Sequence, residues 1–108
     1  MNMLQSVSKI DKDFGKDKLL EILSDRYCRE ILKATMHKPK STIEIFEETS
    51  IPISTIYRRI QTLCDSKLLT ISGTISEDGK KFFLYKSKIK SINATFNDGK
   101  VDVETILT

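Results

Sequence analysis

Ser54, Thr55, Tyr57, Arg58, Arg59, Gln61 and Thr62 fall within nine consecutive positions of a 108-residue chain, and no other stretch is as well equipped for recognition. An arginine offers a planar fork to the O6/N7 edge of guanine, a glutamine can pair with an adenine edge, and short hydroxyls reach phosphates or base edges. Catalytic chemistry is poorly provided for. His37 is the sole histidine, it lies far in sequence from Cys28 and Cys64, and the chain has no glycine-rich phosphate loop. No carboxylate pair sits beside that histidine, so enzyme activity is not expected. The two cysteines lack metal-ligand spacing, which argues against a structural zinc. They read as reduced, buried thiols behaving as small hydrophobes, with a redox pair left open. No cofactor is implied.

These side chains need a helix to present them. At about 100° per residue, Ile53, Ile56, Ile60, Leu63 and Cys64 line one side, while Ser54, Arg58, Gln61 and Thr62 point the other way with Thr55 beside them. Arg59 and Tyr57 fall on opposite flanks. Arg58, central on the exposed side, is the candidate for a bidentate guanine contact, and Arg59 is placed for phosphate. Tyr57 reads first as packing at the edge of the apolar stripe, with its hydroxyl free for a phosphate. Pro52 suits the first turn of this helix, spanning about Pro52–Ser66, because no backbone donor is needed there. The preceding segment, Ser41 to Glu44, has the spacing of a capping box. It predicts a brief helix ending near Thr49 or Ser50, so the two helices are joined by a tight turn.

Upstream, Tyr27, Cys28, Ile31, Leu32 and Met36 recur at helical spacing behind a cap at Ser24 or Asp25, and Pro39 closes the linker that follows. Lys18 to Leu23 reads as a short amphipathic turn, and residues 1–17 as a flexible arm. Downstream the period changes from helical to alternating. Leu69, Ile71 and Ile75 predict a half-buried strand, Glu77 to Lys80 a turn, and Lys81 to Ser87 the returning strand. A second hairpin follows: Ile92, Ala94 and Phe96 alternate, Asn97 to Lys100 turn, and Val101 and Val103 alternate back. The order gives an α+β fold, a winged helix-turn-helix of three to four helices with a β-hairpin wing and an additional C-terminal β-hairpin. The winged-helix unit spans residues 18–90. The extension, 91–108, either joins the same sheet or supplies a dimer interface, because Val101, Val103, Ile106 and Leu107 need a partner surface.

Composition is that of an ordinary globular protein, with 39% hydrophobic and 31% charged residues and a net charge of only +3. Charge distribution is more informative than its total. Residues 41–53 carry Glu44, Glu47 and Glu48 with no Lys or Arg, and read as a solvated outer face. Residues 67–90 carry Lys67, Lys80, Lys81, Lys86, Lys88 and Lys90 against Glu77 and Asp78. Lys80 and Lys81, at the tip of the wing, would either track a phosphate backbone or serve solubility alone. Apolar runs are only a few residues long, so no transmembrane helix and no membrane partner are expected. The first residues lack a signal-peptide pattern, and a cytoplasmic protein is the expectation.

The stretch from Leu23 to Leu32 resembles the opening helix of ArsR-type winged-helix regulators. The segments Ile51 to Ile60 and Lys67 to Leu69 are similar to the recognition helix and the start of the wing in small archaeal-type members, and Glu77 to Tyr85 looks like their wing. The resemblance covers roughly Leu20 to Lys90. It implies a homodimeric transcription regulator bound to double-stranded DNA. Metal-sensing members carry cysteines in the helix before the recognition helix, and Thr42 to Ser50 has neither cysteine nor histidine, so metal sensing is not carried over. Residues 18–23 with the arm, or the C-terminal hairpin, are the candidate dimer surfaces. A competing expectation is a winged helix used for protein–protein contact within a transcription or replication assembly. Single-strand or RNA binding would want exposed aromatic platforms, for which Tyr57 alone is thin support. Operator, direction of regulation and any small-molecule effector are not encoded in a readable way.

Overall fold

Ser41 starts a helix because its hydroxyl accepts from the Glu44 amide (3.2 Å) while the Glu44 carboxylate accepts from the Ser41 amide (2.9 Å), the reciprocal capping box expected from the spacing. A computed structural model describes residues 12–108. It is an α+β chain of four helices followed by two antiparallel hairpins: α1 (Lys12–Ser24), α2 (Arg26–Ala34), α3 (Thr42–Thr49), α4 (Ile53–Asp65), β1 (Leu69–Ile75), β2 (Lys81–Ser87), β3 (Ile89–Asn97) and β4 (Lys100–Leu107).

Asp25 is the N-cap of α2, its side chain accepting from the Cys28 amide at 3.3 Å. Ser50 ends α3 in the left-handed region (φ 61°) and donates its amide to the Phe46 carbonyl at 2.8 Å. Only three residues then separate α3 from α4, and Pro52 takes the N-cap of α4 rather than a place inside its first turn. The upstream reading needs a correction. Lys18 to Leu23 is not an isolated turn but the second half of α1, which begins at Lys12 and so takes in the last residues of the expected arm. Its periodicity was hard to read because, among its described side chains, Ile22 is the one fully buried, with Leu19 packed partly buried beside it. The remainder of that arm, residues 1–11, lies outside the described residues.

One apolar core draws on nearly every element. Ile22 from α1, Cys28 and Ile31 from α2, Ile45 from α3, Ile56, Ile60 and Leu63 from α4, Leu69 from β1 and Ile89 from β3 all belong to it. Thr35 is also fully buried, and its hydroxyl is satisfied by the Ile31 carbonyl at 2.9 Å. The β1–β2 hairpin is anchored at its base. The Leu68 amide donates to Leu63, Ser87 to Thr35, and Lys40 and Tyr85 exchange both backbone hydrogen bonds.

Beyond that base β1 leaves the core. Ile71 and Ile75 are 54% and 70% exposed, so the strand is not half-buried along its length as the alternation suggested. Alternation fixes which side chains share a face, but not how far the neighbouring elements reach. The second hairpin forms its own two-stranded sheet and does not extend the first. Asp98 and Gly99, both at positive φ (53° and 76°), make its two-residue turn, the geometry a right-twisted hairpin favours. Position 91 lies inside β3, whose first residue, Ile89, is core. Val103 and Thr105 are buried, β4 packs against α1, and Lys16 donates to the Val101 carbonyl at 3.0 Å.

Burial fixes what truncation should do. Leu63→Ala should cost about 2–5 kcal/mol in urea unfolding, because a fully buried leucine leaves a cavity in a shared core. Ile75→Ala should change stability by less than about 0.5 kcal/mol.

Candidate nucleic-acid interface

The orientation of α4 follows from what it buries. Ile56 and Leu63 are fully buried and Ile60 nearly so, which turns Ser54, Tyr57, Arg58 and Gln61 outward as an exposed strip. Arg58 is the chemical centre of the strip. Its only polar side-chain contact among the described residues is a 3.5 Å approach of Nη2 to the Thr55 hydroxyl, and no carboxylate pairs with it. Gln61 donates to Asp65 at 3.0 Å, a surface contact that a ligand edge can replace. Tyr57 is 55% exposed and its hydroxyl accepts from Thr42, the first residue of α3, at 3.4 Å. The two helices therefore meet the same edge of the surface.

Three of the expected contacts are placed differently. Thr55 is buried (9% exposed) and is not presented on the strip. The projection set it beside the exposed residues, but its small side chain lies on the flank where α4 packs into the domain. Thr62, half-buried on that same flank, turns its hydroxyl back onto the Arg58 carbonyl at 3.2 Å. Arg59 is not a free phosphate ligand. Its Nε donates to Asp25 Oδ2 at 2.6 Å, and its guanidinium stacks over the Tyr27 ring with 5.5 Å to the centroid.

The Asp25–Arg59 pair was missed in the sequence because the partners lie on different helices, 34 positions apart. Burial works to raise the Asp25 carboxyl, but the hydrogen bonds from Arg59 and Cys28 and the guanidinium charge outweigh it, holding the group below its ordinary value. Beside this pair, burial first and the Asp25 carboxylate second push the Cys28 thiol up to about 12. Cys28 is thus a buried neutral thiol, without thiolate character at neutral pH. Both cysteines are free.

The β1–β2 tip differs from the basic tip that the lysine count suggested. Glu77 and Asp78 stand with Lys80 and Lys81, so the tip carries no net charge. Asp78 accepts from the Ser76 hydroxyl and from the Lys80 amide, contacts that hold its carboxyl below the ordinary range and keep it ionised. Lys81 lies over the Phe83 ring, 5.7 Å from its centroid. The surplus cations lie at the base of the hairpins instead. Lys67, Lys86, Lys88 and Lys90 have no ion-pair partner among the described residues. Two of the three acidic residues of α3 have structural work: Glu44 closes the capping box and Glu48 pairs with Lys40, while Glu47 stands on the exposed face.

Among the described residues, no group of three or more His, Cys, Asp or Glu side chains is arranged to hold a metal, and no helix is long and apolar enough to cross a membrane. No protein-family model matches the chain, and no curated protein matches it significantly.

Asp25→Ala removes both the α2 cap and the Arg59 partner and should cost about 1–2 kcal/mol. Because the folded carboxyl titrates below the unfolded one, the wild-type advantage is full above pH about 4 and fades as pH falls through the folded value. Thermal melts of both proteins across that acid range should converge. A constant gap would mean that neither the Arg59 pair nor the Cys28 cap draws on the charge of the carboxylate.

Proposed function

We propose that the protein is a winged-helix DNA reader, with α4 lying in the major groove of duplex DNA and the β1–β2 hairpin running beside the phosphate backbone as its wing. The observation that carries this reading is the exposed strip of α4, with Arg58 unpaired at its centre between Ser54 and Gln61. An exposed fork with no intramolecular carboxylate suits a guanine edge, and Ser54, near the helix start, suits a phosphate. Tyr57, hydrogen-bonded to α3, lies at the side of the strip as a backbone contact. Arg59 acts from beneath, holding α4 to α2 through Asp25.

Lys67, just past the end of α4, and Lys86, Lys88 and Lys90 at the hairpin base supply the nonspecific attraction; the neutral tip contributes little of it. The activity is binding and transcriptional control rather than catalysis. The likeness of roughly Leu20 to Lys90 to ArsR-type regulators supports a homodimer with two α4 helices about one DNA turn, ~34 Å, apart on a near-palindromic site.

Fluorescence anisotropy with duplexes selected from a random pool tests the reading. Arg58→Ala should weaken the selected duplex by about 1–3 kcal/mol and relax preference at one base pair. Lys67→Ala should weaken all duplexes evenly and lower the salt slope by about one. Failure to select any duplex at low salt, or an affinity indifferent to Arg58, overturns groove binding.

A further inference from the structure

A second surface of the domain is built for a different ligand. The end of α1, the outer side of α2 and the start of β3 enclose a shallow groove of about 210 Å³. Its floor is apolar: Leu23, Leu32, Met36, Ile89 and Ile92. Its rim is cationic: Arg29, Lys33 and Lys90, all exposed, with no carboxylate among the lining residues.

The rim is unspent charge. Lys33 and Lys90 have no ion-pair partner among the described residues. Arg29 is held in place by a hydrogen bond from Nη1 to the Leu23 carbonyl at 2.7 Å, in the last turn of α1. That bond uses one of five guanidinium donors and leaves the rest of the fork, already positioned, for a carboxylate.

The floor is too small for a typical small-molecule ligand, whose pockets run from about 300 Å³ upward, but it suits one or two apolar side chains of a peptide. Arg29 and Lys33 lie on the side of α2 away from Cys28 and Ile31, the residues that bury it in the core with α4, and Met36 follows just beyond the end of the helix. An occupant of the groove would therefore leave the α4 strip free.

We propose that this groove docks an acidic, apolar segment of another protein, its leucine- or phenylalanine-type side chains on the floor and its Asp or Glu residues on Arg29, Lys33 and Lys90. Charge complementarity selects this occupant. The docking does not depend on the DNA reading, so the two can fail separately.

The test uses the full chain and a dye-labelled peptide in which Asp and Glu alternate with Leu and Phe, with a control peptide carrying Gln at every acidic position. The acidic peptide should bind saturably and shift amide NMR signals around Leu23, Leu32, Met36 and Ile92. The charge-reversed variant Lys33→Glu, at an exposed position apart from the hairpin-base lysines, should lose about tenfold in peptide affinity while duplex binding stays unchanged. Three results overturn the proposal: equal binding of the Gln control, peptide shifts centred on α4 instead, or concentration-dependent shifts at the groove without peptide. The last would assign the groove to a second copy of this chain.

Discussion

The packing of α4 into the core is the constraint on which everything presented at the surface depends. Ile56 and Leu63 are inaccessible to solvent, and they share their core with Ile31 of α2 and Ile45 of α3. A helix buried along one stripe has its depth and its roll set by that stripe, and the Asp25–Arg59 contact adds a restraint on the roll from the side. Desolvated side chains set the position of the helix, and a partly exposed ion pair reinforces its roll. The first contribution is large and nondirectional; the second is small in energy but specific in geometry. An arginine pair that looks like duplicated DNA contacts thus divides into two tasks, Arg58 outward and Arg59 inward.

Charge is arranged with comparable economy. The +3 total hides local pairing that consumes some cations and leaves others. Lys40 is taken by Glu48, Arg59 by Asp25, and the lysines of the β1–β2 tip are balanced by Glu77 and Asp78. Much of what remains positive lies at the hairpin base and around the groove between α2 and β3, apart from Arg58 on the α4 strip. A neutral tip on an exposed, partly apolar hairpin cannot supply a strong nonspecific grip. In a DNA complex the base of the hairpin must carry the phosphate contacts, and the tip must follow.

Much of the fold was legible because local rules and global packing agree. The capping box at Ser41 and Glu44, the apolar stripe of α4, the switch to alternation after Lys67 and the Asp98-Gly99 turn each depend on neighbours in sequence, and each appears where spacing places it. The misreadings have a common origin in contacts between distant segments. Thr55 looks exposed on a helical wheel, yet a wheel does not record that α4 is embedded on that flank. Arg59 has no partner within its own helix. Ile71 and Ile75 follow the rule for a half-buried strand, but the core ends one residue into β1. Helix α1 gave a weak periodic signal, since among its described side chains Ile22 alone is fully buried, with Leu19 partly buried beside it.

The same logic separates the two surfaces of the domain. Helix α2 lies between them: Cys28 and Ile31 face the core it shares with α4, while Arg29 and Lys33, with Met36 just past the helix end, line the groove. Because Asp25 caps α2 and also holds Arg59, the helix that lines the groove is tied at its N-terminus to α4, which carries the exposed strip. A segment docked beside α2 therefore has a physical route to α4, through a cap shared by both. The route is short, runs through one carboxylate, and requires no movement of the core. Whether coupling flows along it depends on whether an occupant bears on α2 near Asp25 or only at the Met36 end. The positions of the rim cations favour weak coupling, since Arg29 lies one turn from the cap whereas Lys33 and Lys90 lie farther along.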